Sequence, residues 1–425
     1  MKSRPLVVFA TYVLIALSMW SPANDSIAGL LRYAFFVSAS LAIVAYACVK
    51  GDFRLSLAPD WLLLTAFLIY TSLSVLWAEF SPSTLIKSLL IFSALLVAVS
   101  TANLQGLDRS LRIFYHCMCV FVVLSLLTVI FLPEIGVETG WELEGDWRGI
   151  AGQKNGLGAV ASLTLVAGLA LPIRNGSSRA GLYTELFMRL AMLGVTALCL
   201  VFSGSRGALL AAGIGVFSLL IARAPKILQR VTLVGIVLFA LPLAQLVIST
   251  VELSADQIGV LGTTIDTNSR TTLWAYGLEQ LGGRELLGFG VGGFWTPDRV
   301  VAFKSIHGWV LDNFHNGYIT ILIEGGMVGL ALLLLSAGFI MLLLLVSIGN
   351  VKDAHLGLAF AYTTMFLVGN LIENEIGRST SLTFIMFLMI SFSLRPYVLG
   401  LLGSRRTGAF ARLEPAWRGR PEPAR

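Results

Sequence analysis

The sequence contains few charged residues. Only 13% of its 425 residues are Asp, Glu, Lys or Arg, whereas 56% are hydrophobic. So few charges cannot cover the surface of a soluble enzyme, which excludes that class. The hydrophobic runs also lack the alternation of apolar and polar residues that a membrane β-barrel requires. The sequence therefore predicts an all-α polytopic membrane protein.

Cysteine is scarce as well, and its positions exclude two kinds of framework. The four cysteines are Cys48, Cys117, Cys119 and Cys199, and all of them lie in hydrophobic runs. A buried free cysteine behaves as a small apolar residue, so we expect neither a disulfide framework nor a cysteine metal site. The chain also lacks an internal repeat and a separate soluble domain.

Long hydrophobic runs are what the chain has in abundance. Runs near the ~20 residues that cross a bilayer predict about twelve spans, at roughly 6–20, 27–49, 61–77, 84–101, 111–132, 157–173, 186–203, 207–222, 231–249, 316–346, 355–372 and 379–399. The run 316–346 is too long for one perpendicular crossing. Its His315 end is therefore expected to lie at the interface or to re-enter the membrane.

The cations set the expected orientation. With a cytoplasmic N-terminus, most of the 30 Lys and Arg lie in inner segments, which satisfies the positive-inside rule with both termini inside. This arrangement accounts for the net charge of +6 without nucleic acid. Residues 1–400 are then one integral membrane domain with an outer loop at 250–314 between spans nine and ten. Residues 401–425 form a disordered basic cytoplasmic tail, and the first apolar run is a retained span rather than a cleaved signal peptide.

Two arginines stand out in polar, outward-facing segments. Arg206 lies in a sharp Ser-Gly-Ser-Arg-Gly turn between two apolar runs, where it either snorkels from a capped helix end or clamps an anion with its planar guanidinium. Arg270 follows Asn268 and Ser269, which predict the start of a short helix ending near Gly282. That helix is either an ordinary interfacial one or a support for anion binding at its positive end.

The end of the outer loop carries a histidine. His315 is followed by Asn316, Gly317 and Tyr318, and histidine can accept a proton near neutral pH, although a lone histidine is more often structural. Glu324 lies in apolar surroundings and needs a cationic partner or a catalytic role. Within the glycine-rich segment 282–293, residues 288–293 match a dinucleotide fingerprint but lack the strand–helix–strand context, so we interpret them as a flexible turn.

A fourth outward segment runs from Trp147 to Gly156 and leads into a span. It carries Arg148 and Lys154 among small residues. Two cations at the start of a helix suit a phosphate or a sugar, and they equally suit a helix anchored at the interface.

Taken in order, these motifs resemble the O-antigen ligase and polymerase family of bacterial membrane glycosyltransferases. The resemblance rests on Ser-Gly-Ser-Arg206-Gly, Ser-Arg270 followed by Trp274, the run from Leu286 to Phe294, and His315-Asn-Gly-Tyr with Glu-Gly-Gly after it. The motifs are confined to about residues 145–330. The segment from Trp147 to Asn155 looks most like the exopolysaccharide polymerase branch.

The resemblance implies a fold of the glycosyltransferase-C type and a reaction at the periplasmic face of the inner membrane. A glycan on undecaprenyl diphosphate would be transferred with inversion to a glycan acceptor by a polymerase, or to lipid A core by a ligase. Arg206 and Arg270 would neutralise the leaving diphosphate and His315 would be the base. Arg148, Lys154, Asn316, Tyr318 and Glu324 are expected to bind substrate.

The resemblance also implies which partners to expect. They are the lipid-linked donor, the acceptor, membrane lipid, and polysaccharide export or chain-length regulator proteins. No cofactor or metal is expected, because the arginines would neutralise the diphosphate in place of a metal ion. No Asp-x-Asp pattern that could hold a metal occurs on the outer side. A twelve-span transporter of a polar or anionic solute is the alternative of another class. It is disfavoured because the longest loop lies outside, after span nine, rather than between two six-span halves.

Overall fold

The computed structural model describes residues 5–19, 27–49, 59–139, 145–173, 179–229, 231, 259–260, 263–264, 268–307, 313–351, 353–376, 378 and 380–399. The predicted span at 231–249, apart from residue 231, lies outside the described residues. So do most of the first part of the outer loop and the tail at 401–425.

The described residues are almost entirely helical. In chain order the helices are α1 (Pro5–Met19), α2 (Ile27–Val49), α3 (Pro59–Leu73), α4 (Ser81–Leu104), α5 (Gly106–Phe131), α6 (Pro133–Gly136), α7 (Lys154–Ala170), α8 (Arg179–Phe202), α9 (Arg206–Arg223), α10 (Asn268–Glu279), α11 (Pro297–His307), α12 (Gly317–Asn350), α13 (Ala354–Gly369) and α14 (Leu382–Ser393). Two 3₁₀ turns lie at Ser74–Leu76 and Gly149–Ala151. One antiparallel pair of two-residue strands joins β1 (Gly259–Val260) to β2 (Thr263–Thr264), with Gly259 opposite Thr264.

The all-α polytopic class is confirmed. Seven stretches of helix among the described residues are long and apolar enough to cross a membrane: Gly29–Val49, Ser81–Leu104, Gly106–Phe131, Arg179–Phe202, Arg206–Arg223, Gly317–Asn350 and Leu382–Leu399. Shorter apolar helices occupy Val8–Met19, Trp61–Leu76, Lys154–Ala170 and Ala354–Gly369. These helices cover every predicted run within the described residues, while the number of spans stays a prediction.

Small residues bring the central helices close together. A Cβ on Gly158 of α7 would lie 2.8 Å from Ala208 Cβ of α9, and one on Gly215 of α9 would lie 2.6 Å from Met365 Sδ of α13. Glycine at such contacts lets membrane helices approach until their backbones nearly touch. As a result α9 is held between α7 and α13, and its Arg206 end lies beside the chain that leaves α13.

The outer loop has an aromatic core of its own. Its buried members, which come from the loop and the start of α12, are Leu273, Leu281, Phe289, Phe294, Phe303, Phe314, Ile319 and Ile323. Arg299 fastens this core to the turn between α3 and α4. Its guanidinium lies 4.5 Å from the centre of the Phe289 ring and 2.9 Å from Glu79. The described part of the loop is therefore packed against the ends of the helices.

Residues 288–293 form a turn, as predicted, but the prediction that this turn is flexible is wrong. Gly288, Gly290 and Gly292 have φ values of 67°, 84° and 78°, in the left-handed region that favours glycine. A Cβ at these positions would lie 2.5 Å from the Glu324 carbonyl, 2.5 Å from Ala78 and 2.3 Å from Lys87 respectively. The glycines are needed because the segment is pressed between α4 and α12, a contact that sequence spacing does not reveal.

Helix α12 is interrupted near its outer end. Gly326 has φ 65° and ψ −172°, which divides the helix into a short piece before it and a long apolar piece after it. The segment 285–287 lies against this break, since Met327 N–H donates to Glu285 O at 2.8 Å and Val328 N–H to Leu286 O at 3.2 Å. The unusual length of the 316–346 run is thus explained by a break that leaves the His315 end as a separate short helix.

Candidate active site

The segment that follows α13 is contacted by several of the predicted site residues. Asn370 is fully buried, and its Oδ1 accepts hydrogen bonds from Glu375 N–H at 3.1 Å and Ile376 N–H at 2.9 Å. Its Nδ2 donates to Phe366 O at 2.7 Å. These bonds fold residues 370–376, hereafter the 370–376 loop, into a compact turn with its backbone carbonyls turned towards neighbouring segments.

Arg270 and His315 both contact this loop. Arg270, in the first turn of α10, donates from Nη1 to Ile372 O at 2.8 Å. His315 lies just before α12, with Nδ1 3.6 Å from Glu373 Oε2. That distance is longer than a hydrogen bond, so the attraction is mainly electrostatic. The structure thus brings the two residues to adjacent positions of one loop.

Arg206 lies beside the same loop, next to a residue that approaches it. It is exposed and begins α9, whose N-terminus is capped by Ser205. A Cβ on the next residue, Gly207, would lie 3.3 Å from Ile372 Cδ1. Arg206, Arg270 and His315 therefore all lie beside the 370–376 loop. Each stands at or next to the first turn of a helix, where the helix dipole favours an anion.

Glu373 is the residue of this site that sequence reasoning missed. Burial raises the pKa of its carboxyl, but the His315 imidazole and the charges of Arg378 and Arg270 outweigh that effect, so the pKa of Glu373 lies below its ordinary value. A carboxylate between two apolar runs at a membrane edge is a signal of the same kind as the one that singled out Arg206. Applied to the connection at 370–380, it would have found Glu373.

The backbone at His315 is unusual. Its φ of 47° is the only positive value at a non-glycine residue in the described part of the chain. Such conformations cost about 1–3 kcal/mol and persist where the surroundings impose them. Here His315 N–H donates to Asn313 Oδ1 at 2.9 Å, and Trp274 Nε1 donates to Phe314 O at 2.8 Å. The histidine is held by its neighbours on both sides.

Asn316 and Tyr318 use their polar atoms within the protein. Asn316 Oδ1 caps α12 by accepting from Tyr318 and Ile319 N–H, and its Nδ2 donates to Leu371 O at 3.1 Å. The Tyr318 hydroxyl donates to Leu367 O at 2.7 Å. Both residues fasten the start of α12 to α13 and so position His315. Their contact with substrate stays a prediction.

Arg148 and Lys154 belong to a neighbouring turn. Arg148 donates to Ile135 O at 2.7 Å and pairs with Glu138 at 3.5 Å. Lys154 pairs with Asp146 at 2.7 Å, and a Cβ on Gly204 would meet that Asp146 carboxylate at 2.3 Å. The two cations are neutralised by adjacent carboxylates and hold this turn against the Ser203–Gly207 turn. Their binding of substrate stays a prediction.

A cavity of about 860 Å³ lies beside the 370–376 loop. Asn313 and Phe314, just before His315, and Asn374 and Glu375, just after Glu373, form part of its wall. Of the residues singled out in the sequence as site residues, only Glu324 lines it. Glu324 is 2% exposed and is held by Gly292 N–H at 2.7 Å and by Lys87 at 3.9 Å. It therefore joins the glycine-rich segment to α4 and α12 in the cavity wall.

Comparison with known proteins gives one result for the same part of the chain. Residues 191–334 match the model of a family described as O-antigen ligase. The match contains Arg206, Arg270, His315 and Glu324, but not the 370–376 loop. No curated protein matches the chain significantly. The family match supports the resemblance found in the motifs without distinguishing its exopolysaccharide polymerase branch. The chain is thus a multi-pass membrane protein, about a third of which is similar to the O-antigen ligase family.

Proposed function

We propose that the chain transfers a glycan from undecaprenyl diphosphate to a hydroxyl group at the periplasmic face of the bacterial inner membrane. Polymerisation of repeat units, as in exopolysaccharide or O-antigen synthesis, is the first candidate reaction. The observation that carries the proposal is the arrangement of Arg206, Arg270 and His315 around the 370–376 loop. Two cations and a titratable base at one membrane edge are the parts that this chemistry needs.

The arginines act on the diphosphate. Arg206 is exposed at the start of α9, and Arg270 donates one of its N–H groups to Ile372 O. Among the described residues the rest of its guanidinium has no hydrogen-bond acceptor, so it can bind an anion. Charge grows on the diphosphate oxygen as the bond to the anomeric carbon breaks, and fixed cations stabilise that charge. The diphosphate is a good leaving group, so the step needs no general acid and no metal.

His315 and Glu373 act on the acceptor. Glu373 faces Nδ1 of His315, so a proton held there leaves Nε2 free to accept the proton of the acceptor hydroxyl. The acceptor oxygen forms its bond to the anomeric carbon as the carbon–oxygen bond to diphosphate breaks. The electron pair departs with undecaprenyl diphosphate, and the displacement inverts the anomeric centre.

The test is transfer of lipid-linked glycan by purified protein in nanodiscs, without an ion gradient. Arg270→Ala should lose most activity and Arg270→Lys should recover only part of it, because lysine keeps the charge but lacks the two-pronged geometry of arginine. Arg284→Ala is the matched control, since Arg284 lies in the same outer loop and pairs with Glu79 at 3.5 Å. Full activity of Arg270→Ala would remove this residue from the mechanism, and transfer only with a gradient would favour transport.

Ligation to lipid A core is the second candidate, favoured by the description of the matching family. The two reactions differ in what a deletion strain loses. Loss of the polymer while single repeat units remain on the lipid carrier indicates a polymerase. Loss of glycan from lipid A core while the lipid-linked polymer accumulates indicates a ligase.

A further inference from the structure

The cavity beside the 370–376 loop is lined by three cations and by two carboxylates, Glu324 and Glu375, so its described lining is net positive. Arg32 from α2, Lys87 from α4 and Arg378 line it. Lys87 pairs with Glu324 at 3.9 Å, whereas neither Arg32 nor Arg378 forms an ion pair with a carboxylate in the described part of the chain. The positive charge of Arg378 is also near enough to Arg32 to repel the charge of its guanidinium group. Two guanidinium groups that repel each other in one cavity call for an anion.

Arg32 is the more informative of the two because it is buried. Its side chain is 7% exposed, Nη2 donates to Thr380 Oγ1, and the buried Nε has no hydrogen-bond partner among the described residues. The indole Nε1 of Trp295, which lines the same cavity, is likewise buried without a partner there. An unsatisfied buried donor costs about 1–3 kcal/mol. Two such donors in one cavity fit a ligand rich in oxygen acceptors, and arginine suits phosphate in particular.

An apolar groove of about 920 Å³ adjoins the cavity. It lies between α1 and α5 and is lined mainly by apolar side chains, among them Val13, Ala16, Val120 and Phe121. Met19 lines both the groove and the cavity. An apolar groove that suits a hydrocarbon chain thus leads to a cavity that suits an anion. Together they suit a lipid with an anionic headgroup.

We propose that this groove and cavity bind the acceptor as a lipid, with its hydrocarbon between α1 and α5 and its phosphate groups on Arg32 and Arg378. The inference rests on the function proposed above and adds a second lipid site to it. The donor diphosphate lies at Arg206 and Arg270, beside the 370–376 loop. The acceptor enters from the cavity, whose wall contains the neighbours of His315 and Glu373, so that the base stands between the two substrates.

The sites can be counted by native mass spectrometry of the full chain with undecaprenyl diphosphate as the probe. Wild-type protein should bind two equivalents. Arg32→Gln and Arg378→Gln should each lose one, and Arg206→Gln should lose the other. Arg378 is exposed, so its variant tests the site even if replacing the buried Arg32 impairs folding. Ala16→Trp should also lose one equivalent by filling the groove, whereas Leu190→Trp, at a side chain of α8 that is 59% exposed, should lose none.

The outcomes separate the two proposals. A single equivalent that Arg206→Gln abolishes and Arg378→Gln leaves intact would overturn the acceptor site and support the donor site. Binding that Arg206→Gln leaves unchanged would count against the donor site alone. If phosphorylated lipid A core displaces the second equivalent of undecaprenyl diphosphate, the acceptor site is supported and the protein is identified as a ligase. If phosphatidylglycerol at equal concentration displaces that equivalent, the acceptor site is overturned.

Discussion

His315 combines a titratable side chain with a left-handed backbone, and the two properties can be tested separately. Asparagine adopts φ values near 47° more easily than alanine does. The difference in stability between His315→Asn and His315→Ala therefore measures the cost of the left-handed backbone. The loss of transfer activity that both variants share measures the contribution of the imidazole.

We expect His315→Asn to bind lipid-linked donor normally and to transfer it ~10²–10⁴-fold more slowly, the usual contribution of a general base. Its thermal stability should match the wild type, and His315→Ala should be less stable. Single-turnover transfer, donor binding and thermal unfolding in detergent measure the three quantities. His307→Asn, at the end of α11, serves as the control. Loss of donor binding with normal transfer at saturating donor would make His315 a binding residue.

Glu373 should make stability depend on pH. Folding lowers its pKa below the ordinary value of 4.5, so its ionised form stabilises the folded state at pH above that value. This contribution disappears as the pH falls through the lower pKa of the folded protein. Glu373→Gln should thus be less stable than wild type at pH 7, with a difference that narrows in acid.

Thermal unfolding of both proteins between pH 3 and pH 8 checks this expectation. Glu375→Gln is the matched control, because Glu375 lies in the same loop and accepts from Thr383 Oγ1 at 2.7 Å, a bond that glutamine can keep. A stability difference of constant size across the pH range would show that Glu373 acts by packing rather than by charge.

Among the elements, α12 shows how a helix is broken to receive a loop. A Cβ on Gly326 would lie 2.2 Å from Leu286 O, and the residue has φ 65°. Alanine there would meet both a clash with backbone and a strained conformation. We expect Gly326→Ala to lower the unfolding temperature and to slow transfer, because the displaced segment 285–293 contacts Glu324.

Gly338→Ala provides the comparison within the same helix. A Cβ at Gly338 meets nothing within 4 Å, so this variant should be as stable as the wild type or slightly more stable. Equal effects of the two substitutions on the unfolding temperature in detergent would contradict the role given to the break at Gly326.

The sequence predicted elements better than it predicted their contacts. Membrane helices can be found from hydrophobic length alone, and Asn268 and Ser269 correctly indicated the start of α10. The packing of Gly288, Gly290 and Gly292 depends on residues far away in the chain, so the segment looked like a free turn. Nothing in the sequence pattern links Arg32 to Arg378, because only the folded chain shows that they share a cavity.

For the molecule as a whole, orientation in the membrane is the prediction with the widest consequences, since an active site on the wrong face would exclude the proposed substrate. Two exposed positions on opposite sides test it. In a variant without the native cysteines, Ser305→Cys on α11 should react with a membrane-impermeant maleimide in spheroplasts. Lys226→Cys, after α9, should react only once the membrane is permeabilised. The reverse pattern would place both termini outside.

The 370–376 loop has a consequence for anyone who exchanges parts between relatives. The family match ends at residue 334, yet Arg270 and Asn316 within it bond to carbonyl groups of Ile372 and Leu371 beyond it. A chimera that carries only the matched segment separates these donors from the loop to which they bond. A segment exchanged between relatives should therefore extend through α14. A chimera whose exchanged segment ends earlier keeps the sequence motifs but loses the contacts that form the site.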